Sequence, residues 1–493
     1  MELKIKFLKW SAGAPVAMLN EKTAKKVGAH TPGRISIRTI SKKPKEMSTV
    51  VDIVEGLVKE NEIAVSSEIR KRMNLKAGQK VIVGLSSPPE ALNLIKKKLN
   101  NKKLSEKELD KIIEEVVDNS LSTPEIALLV SAMYKQGMTT KETVYLIKAI
   151  LKNGNTLNFK NKFVIDKHSI GGIPGNRTTP LVVSICAATG LLFPKNSSRA
   201  ITSAAGTVDV IETMANVEFS ASELKKIIRK TNACLVWGGA LGVVPADSKI
   251  LQIEKMLKLD VESQLLASIM SKKLAVDSNY ILIDIPYGKT AKATKKRALR
   301  LKRKFENLGR YFHKKLKVVL TKGDQPIGNG IGPELEMRDI IRILDPKQNS
   351  PKDLEEKSLF LAGELLEMVG KAKPNKGIEM AKQILDSGQA FKKFNQIIKA
   401  QGGKLRPMKE AKLKKNILAK RSGKIVEMHN KKINHLAKIA GCPTDKSAGL
   451  YLYKHLRERV KKGDKILTIY ADSKTRLNQA IKFYNTKKPI KIK

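Results

Sequence analysis

The run Asp166-Lys167-His168-Ser169-Ile170-Gly171-Gly172-Ile173-Pro174-Gly175-Asn176-Arg177-Thr178-Thr179 sets a lysine, a hydroxyl and a glycine-rich turn ahead of an apolar helix from Pro180. Glycines let backbone N–H groups approach an anion, a helix start adds partial positive charge, and Lys167 supplies a full one. The spacing is not that of a Walker A loop, an ordinary strand-to-helix turn has a similar look, and His168 reads equally as structural or catalytic. In a second run, Ser197-Ser198-Arg199-Ala200-Ile201-Thr202-Ser203-Ala204-Ala205-Gly206-Thr207, many hydroxyls beside an arginine suggest an oxyanion-lined loop or a Ser/Thr-rich helix cap. Trp237-Gly238-Gly239-Ala240 with Pro245-Ala246-Asp247 fits a loop over a flat ligand or a tight structural turn. Asp260, Ser268 and Lys272 are spaced to fall near one helical face. A carboxylic acid beside an apolar wall keeps its proton and can donate it; a generic charged helix has the same spacing.

These residues need elements to hold them. The pattern over 1–84 predicts a small β-rich domain with an internal repeat. Leu19-Asn20 through Gly28 and on to Ile35-Ser36-Ile37 is echoed about 46 residues later by Val65-Ser66 through Met73 and Val81-Ile82-Val83. A pseudo-twofold barrel is expected. Ser86-Ser87-Pro88-Pro89 marks a boundary. Residues 85–155 read as a helical domain with capping boxes Ser105/Glu108, Ser122/Glu125 and Thr139/Glu142. The helical span 247–275 completes it. Residues 156–405 alternate apolar strands with helices, an α/β phosphate-binding domain with active loops at strand C-termini. Residues 406–493 read as a C-terminal α+β domain. The expected class is α/β multidomain, a helical bundle plus an α/β domain closing over a cleft.

Composition narrows the function classes. With 493 residues and 41% apolar content, the chain suggests several ordinary globular domains. No run of about 18 apolar residues offers a membrane span, and the lysine-rich N-terminus lacks a signal-peptide core. Cys186, Cys234 and Cys442 are too scattered for a disulfide framework or a metal cluster. No metal site is read, and a cytoplasmic setting is expected. The net charge of +48 invites a polyanionic partner or reflects a uniformly lysine-rich surface. Lysines are spread along the chain and aromatics are only 4%, poor material for base stacking, so nucleic acid is not the expected partner.

In this order, the motifs resemble those of the thymidine phosphorylase superfamily, in its branch of archaeal AMP phosphorylases and bacterial thymidine phosphorylase-like proteins. The resemblance spans essentially the whole chain. It is most specific at Lys167-His168-Ser169-Ile170-Gly171-Gly172, Ser198-Arg199-Ala200-Ile201-Thr202-Ser203 with Gly206-Thr207, and Leu266-Ala267-Ser268-Ile269-Met270-Ser271-Lys272-Lys273. Gln325-Pro326-Ile327-Gly328 and Gly332-Pro333-Glu334-Leu335-Glu336 add to it. The resemblance implies phosphorolysis of an N-glycosidic bond, with inorganic phosphate as co-substrate and no cofactor. Lys167, Ser169, Ser197 and Thr207 would hold phosphate, with Thr179 a weaker candidate. Gly172, Ser198, Arg199, Ala200, Ile201, Thr202, Ser203, Thr207, Ser268 and Lys292 match nucleotide-contacting positions. Asp260 matches the proton donor to the departing base, and Lys272 a base-contacting lysine. Members of the family form dimers or larger assemblies.

Two departures bear on the substrate. Short thymidine phosphorylases place a base-clamping arginine about fifteen residues before the serine matched by Ser268; here that position is Ile253, and no arginine occurs from Gly238 to Tyr280. The N-terminal domain is also foreign to that type. Both favour AMP or another nucleoside 5′-monophosphate, with CMP and UMP as further candidates. Gly175-Asn176-Arg177-Thr178-Thr179-Pro180 looks more like the bacterial thymidine phosphorylase-like members, and Gly242-Val243 departs from the branch's common Asn-Leu. Thymidine therefore stays open as the alternative substrate, and a basic nucleic-acid-binding protein as the alternative of another class.

Overall fold

The computed structural model describes residues 1–8, 15–31, 33–159, 163–200, 203–239 and 242–493. Two compact units are present: residues 1–154 with 245–268, and residues 155–244 with 269–493.

The first unit opens with β1 (Glu2–Phe7), β2 (Val16–Asn20), α1 (Glu21–Val27), β3 (Arg34–Thr39), β4 (Glu46–Val54), β5 (Glu62–Val65), α2 (Ser67–Met73) and β6 (Lys80–Leu85). The strands close a barrel in the order β1-β5-β2-β4-β3-β6. β1 pairs parallel with β5 and antiparallel with β6, while β4 pairs parallel with β2 and antiparallel with β3. This is the exchange that a twofold relation between the two halves requires. Alternation sets the faces: Ile35, Ile37, Val81 and Val83 point into the core, whereas Arg38 and Ile82 face solvent. Closure leaves no unpaired edge.

Four helices follow: α3 (Glu90–Leu99), α4 (Glu106–Val117), α5 (Thr123–Gln136) and α6 (Thr140–Lys152). Capping boxes stand at Ser105/Glu108, Ser122/Glu125 and Thr139/Glu142. Such caps satisfy amide donors that the helix itself cannot. Glu142 also receives the buried Lys98 ammonium at 2.8 Å and the Leu104 N–H at 3.1 Å, tying α3 to α6.

The chain then enters the second unit with β7 (Ile165–Ser169), α7 (Thr178–Ala188), β8 (Phe193–Ser197), α8 (Thr207–Ile211), α9 (Ala221–Thr231) and β9 (Ala233–Trp237). It returns to the first unit as α10 (Pro245–Leu257), which packs on α4, α5 and α6. Lys249 secures this return by donating to the Val116 and Val117 carbonyls at 2.8 and 2.9 Å. The next helix, α11 (Glu262–Leu274), carries the chain from the first unit into the second, the change falling between Ser268 and Ile269.

The remainder of the second unit begins with β10 (Tyr280–Tyr287), α12 (Lys295–Tyr311), β11 (Lys315–Lys322) and β12 (Gly330–Ile331). It continues with α13 (Pro333–Leu344), α14 (Lys352–Met368), α15 (Gly377–Asp386) and α16 (Gln389–Ala400). Parallel strands run β11-β10-β7 and β8-β9, with a parallel bridge from Val164 to Leu192. β10 is central and buried almost throughout, as its apolar run demands of a strand covered on both faces. α7 is buried from Thr178 to Ala187 and packs against α14 and α16.

The chain ends with β13 (Leu413–Leu418), β14 (Gly423–Met428), α17 (Asn430–Ala440), β15 (Gly449–Leu452), β16 (Arg459–Val460), β17 (Lys465–Ala471), α18 (Lys474–Lys487) and β18 (Ile490–Ile492). One sheet runs β12-β15-β17-β13 and another β16-β14-β18. The first of these takes an edge strand from Gly330–Ile331, well upstream of the residues around it.

Candidate functional site

β7 delivers Asp166, Lys167, His168 and Ser169 in succession towards the glycine-rich turn. Lys167 is fully buried, and its ammonium donates to Thr178 Oγ1 on the first residue of α7. Burial, only partly offset by Asp284, pushes its pKa down to about 7. Ser169 Oγ accepts from Gly171 N at 3.5 Å and from Asn176 Nδ2 at 3.4 Å. Gly172 lies at φ +94°, and a Cβ there would meet Lys292 Cβ at 2.9 Å and Lys292 N at 3.1 Å, so only glycine lets these two segments meet. Thr179 is buried one residue into α7. The His168 imidazole is held well below its usual pKa by burial and by Lys273, Lys195, Lys272 and Lys167, which makes it neutral at physiological pH.

An unusual cluster of buried charge supports these loops. Asp166 Oδ1 accepts from Lys195 Nζ at 3.0 Å and Oδ2 from Lys273 Nζ at 2.8 Å. On the neighbouring strand, Asp284 Oδ1 accepts from Thr321 at 2.6 Å, and its Oδ2 lies 3.1 Å from Lys357 Nζ. Burial raises the Asp284 pKa, but Lys357 and Lys167 lower it further, leaving it below the usual carboxylate value. Four lysines thus gather around two carboxylates in a poorly solvated setting. Excess positive charge of this kind is costly, and burial accordingly lowers the pKa of Lys273 as well as that of Lys167.

The second loop begins at Ser197, the last residue of β8, whose carbonyl accepts from Gly238 N at 3.1 Å. Asp209 Oδ2 accepts from Ala200 N and from Gly206 N, both at 2.7 Å, drawing the loop into a tight turn. A Cβ on Gly206 would sit 2.7 Å from Ser198 O and 2.6 Å from Arg199 C, so the turn excludes any side chain there. Ser203 Oγ donates to Ala205 O at 2.6 Å. Thr207 opens α8, and its Oγ1 accepts from Arg177 Nη1 at 3.0 Å. Arg199 is engaged by carboxylates: it donates to both oxygens of Glu212 at 2.9 and 2.8 Å and to Glu218 at 3.1 Å, and it lies over the Trp237 ring. These hydrogen bonds raise its pKa further and lower that of Glu212 to about 2. Its side chain therefore braces the loop. Ile201 and Thr202 lie outside the described residues.

Asp260 departs from its expected position. It lies in the turn between α10 and α11, two residues before α11 begins, after Lys258 takes a positive φ of 55°. That reversal breaks the helical count, so Asp260 shares no helix with the other two residues. Ser268 and Lys272 do share one, a single turn apart on α11. Asp260 and Ser268 belong to the first unit, and Lys272 to the second.

Several supporting residues had no role assigned from sequence: Asn176, Arg177, Thr178, Lys195, Asp209, Lys273 and Glu336. Arg177 is buried, donating from Nε to Glu336 Oε2 at 2.6 Å and from Nη2 to Ala205 O at 2.7 Å. The signal was an arginine and a glutamate standing inside two of the matching motifs, but their partnership spans 159 residues.

Residues 92–154 match the glycosyl transferase family helical bundle domain, and residues 161–391 the α/β domain of that family. Residues 424–492 match the pyrimidine nucleoside phosphorylase C-terminal domain. AMP phosphorylase of Thermococcus kodakarensis is 41% identical, covering 100% of this chain and 98% of that protein. AMP phosphorylase of Pyrococcus abyssi is 44% identical over the same shares. A Legionella pneumophila protein bearing a thymidine phosphorylase name is 40% identical over 90% of this chain and 86% of its own length. Among solved structures, anthranilate phosphoribosyltransferase of Thermus thermophilus superposes with a TM-score of 0.52 at 17% identity, over 63% of this chain and 99% of that one. This last likeness is one of fold.

Proposed function

The chain belongs to the family of AMP phosphorylases and thymidine phosphorylases, and from that premise we propose that it is a pentosyltransferase cleaving nucleoside 5′-monophosphates with inorganic phosphate. AMP and phosphate give adenine and ribose 1,5-bisphosphate, with CMP and UMP as further substrates. A phosphate oxygen forms the new bond to C1′ while the C1′–N bond breaks and its electron pair passes to the base. Asp260 gives that base its proton. Lys167, Ser169, Ser197 and Thr207 hold the phosphate. Gly172, the Ser198–Ser203 loop, Thr207, Ser268 and Lys292 contact the nucleotide, and Lys272 the base.

The observation that carries this reading is the convergence of Lys167, Ser169 and Thr207 on one short segment, Asn176-Arg177-Thr178, beside a buried excess of lysine. Holding phosphate in line with the sugar is worth up to about 7–11 kcal/mol, and a positioned acid contributes roughly 10²–10⁴-fold. The only co-reactant in this reading is phosphate. Membership of this family supports a homodimer or larger assembly, checked by light scattering. Three buried thiols, none in a disulfide, support a cytoplasmic setting, and no helix among the described residues is long and apolar enough to cross a membrane.

The test is base release from AMP, CMP, UMP and thymidine with and without phosphate, followed by chromatography. Phosphate-dependent release from the monophosphates and not from thymidine is expected. Release from thymidine alone would transfer the chain to the alternative substrate, and no release from any of the four would remove the enzymatic reading.

A further inference from the structure

We propose that Arg177, flanked by Asn176 and Thr178, is a positioning residue that fixes the phosphate-binding groups as hydrogen-bond donors facing the anion. This rests on the phosphorylase reading. Each of the three neighbours touches a different candidate ligand: Asn176 Nδ2 donates to Ser169 Oγ at 3.4 Å, Arg177 Nη1 to Thr207 Oγ1 at 3.0 Å, and Thr178 Oγ1 accepts from the Lys167 ammonium. Arg177 forms the strongest joint. Its guanidinium is buried and held from three sides, by Glu336, Thr207 and the Ala205 carbonyl, and Ala205 O also accepts from Ser203 Oγ at 2.6 Å.

The chemistry follows from which lone pairs are filled. A threonine hydroxyl that already accepts an N–H from a cation turns its own proton outward and becomes a stronger donor. A hydroxyl so arranged favours an acceptor-only ligand, which a phosphate oxygen is. Glu336 keeps the arginine in place: its Oε2 takes the Nε–H while Oε1 accepts from Gly332 N at 3.2 Å. The pair is also close to charge-neutral, so Arg177 adds direction without competing for the phosphate as a free cation. A lysine would supply charge but not three fixed N–H vectors.

The experiment compares the wild-type chain with Arg177→Lys, Asn176→Ala and the double variant Arg177→Gln with Glu336→Gln, which removes both buried charges together. Rates of base release are measured with phosphate and AMP varied separately, and binding of inorganic phosphate alone is measured by calorimetry. The double variant is expected to raise the phosphate KM about tenfold or more, the scale of one lost charged hydrogen bond. Its AMP KM should rise clearly less than its phosphate KM, because Thr207 is one of several nucleotide-contacting groups whereas it is one of only four that hold phosphate. Arg177→Lys should recover little of the loss. If the double variant does not fold, Arg177→Lys carries the same prediction, because it keeps a charge opposite Glu336. Phosphate KM and binding unchanged in a folded variant would overturn the proposal, as would parallel losses for phosphate and AMP. A wild-type chain that binds phosphate but releases no base would remove the phosphorylase reading, while calorimetry on the same variants still decides the role of Arg177. A wild-type chain that binds no phosphate would overturn both.

Discussion

At the scale of single residues, two groups carry separable predictions. Asp260→Asn keeps size and polarity but has no acidic proton to give. It is expected to leave the circular dichroism spectrum intact and to slow base release by roughly 10²–10⁴-fold; a fully active variant would take Asp260 out of the acid role. Lys167 is the second. Its folded-state pKa of about 7 lies below the ordinary 10.5, so the unfolded chain binds its proton more tightly. The penalty for burying the ammonium is therefore complete below about pH 7 and fades as pH climbs towards 10.5. Replacing Lys167 with Met removes that penalty. In phosphate-free buffer, the variant's gain in denaturant midpoint over wild type should be largest at pH 6–7 and should shrink steadily towards pH 10. A pH-independent difference would mean that Lys167 does not titrate there.

At the scale of elements, the joint between β7, β8 and α11 is decisive. Asp166 accepts from Lys195 and Lys273 at once, so the two lysines are not equivalent to the one carboxylate. Asp166→Ala strands two buried ammonium groups, whereas Lys273→Met leaves Asp166 and Lys195 matched. Breaking a buried pair by removing one partner costs about 3–5 kcal/mol. Asp166→Ala should therefore destabilise by at least that much and Lys273→Met by clearly less, as read from urea unfolding; the reverse order would refute the arrangement. Nothing in the sequence announces this joint, because lysine is ordinarily a surface residue and its partners lie 29 and 107 positions away. Local signals were legible instead. The capping boxes of α4, α5 and α6 lie within four residues, and the barrel's halves repeat a strand, a short helix and a turn. Spacing misled where the backbone turned: the positive φ at Lys258 separates Asp260 from the helix that its numbering suggested.

At the scale of the whole molecule, the charge of +48 acts on every measurement above. Like charges repel more in the compact state than in the extended one, so the fold is destabilised by its own surface at low ionic strength. The Debye length falls from about 30 Å at 0.01 M salt to about 8 Å at 0.15 M, and raising sodium chloride across that range should raise the melting temperature. Phosphate adds a distinct effect, because a ligand that binds only the folded state stabilises it by an amount that grows with its concentration, about 2.7 kcal/mol at a hundredfold excess over Kd. At matched ionic strength, phosphate should therefore raise the melting temperature beyond chloride, and saturably. Heparin supplies the opposing control. A polyanion that binds through scattered lysines is released by salt in proportion to the contacts it makes, and it should not displace bound phosphate. If chloride and phosphate stabilise equally, screening of the lysine-rich surface accounts for the whole effect and no phosphate site is occupied. If heparin competes with phosphate at physiological salt, the lysine-rich surface binds polyanions at the phosphate-holding loops themselves.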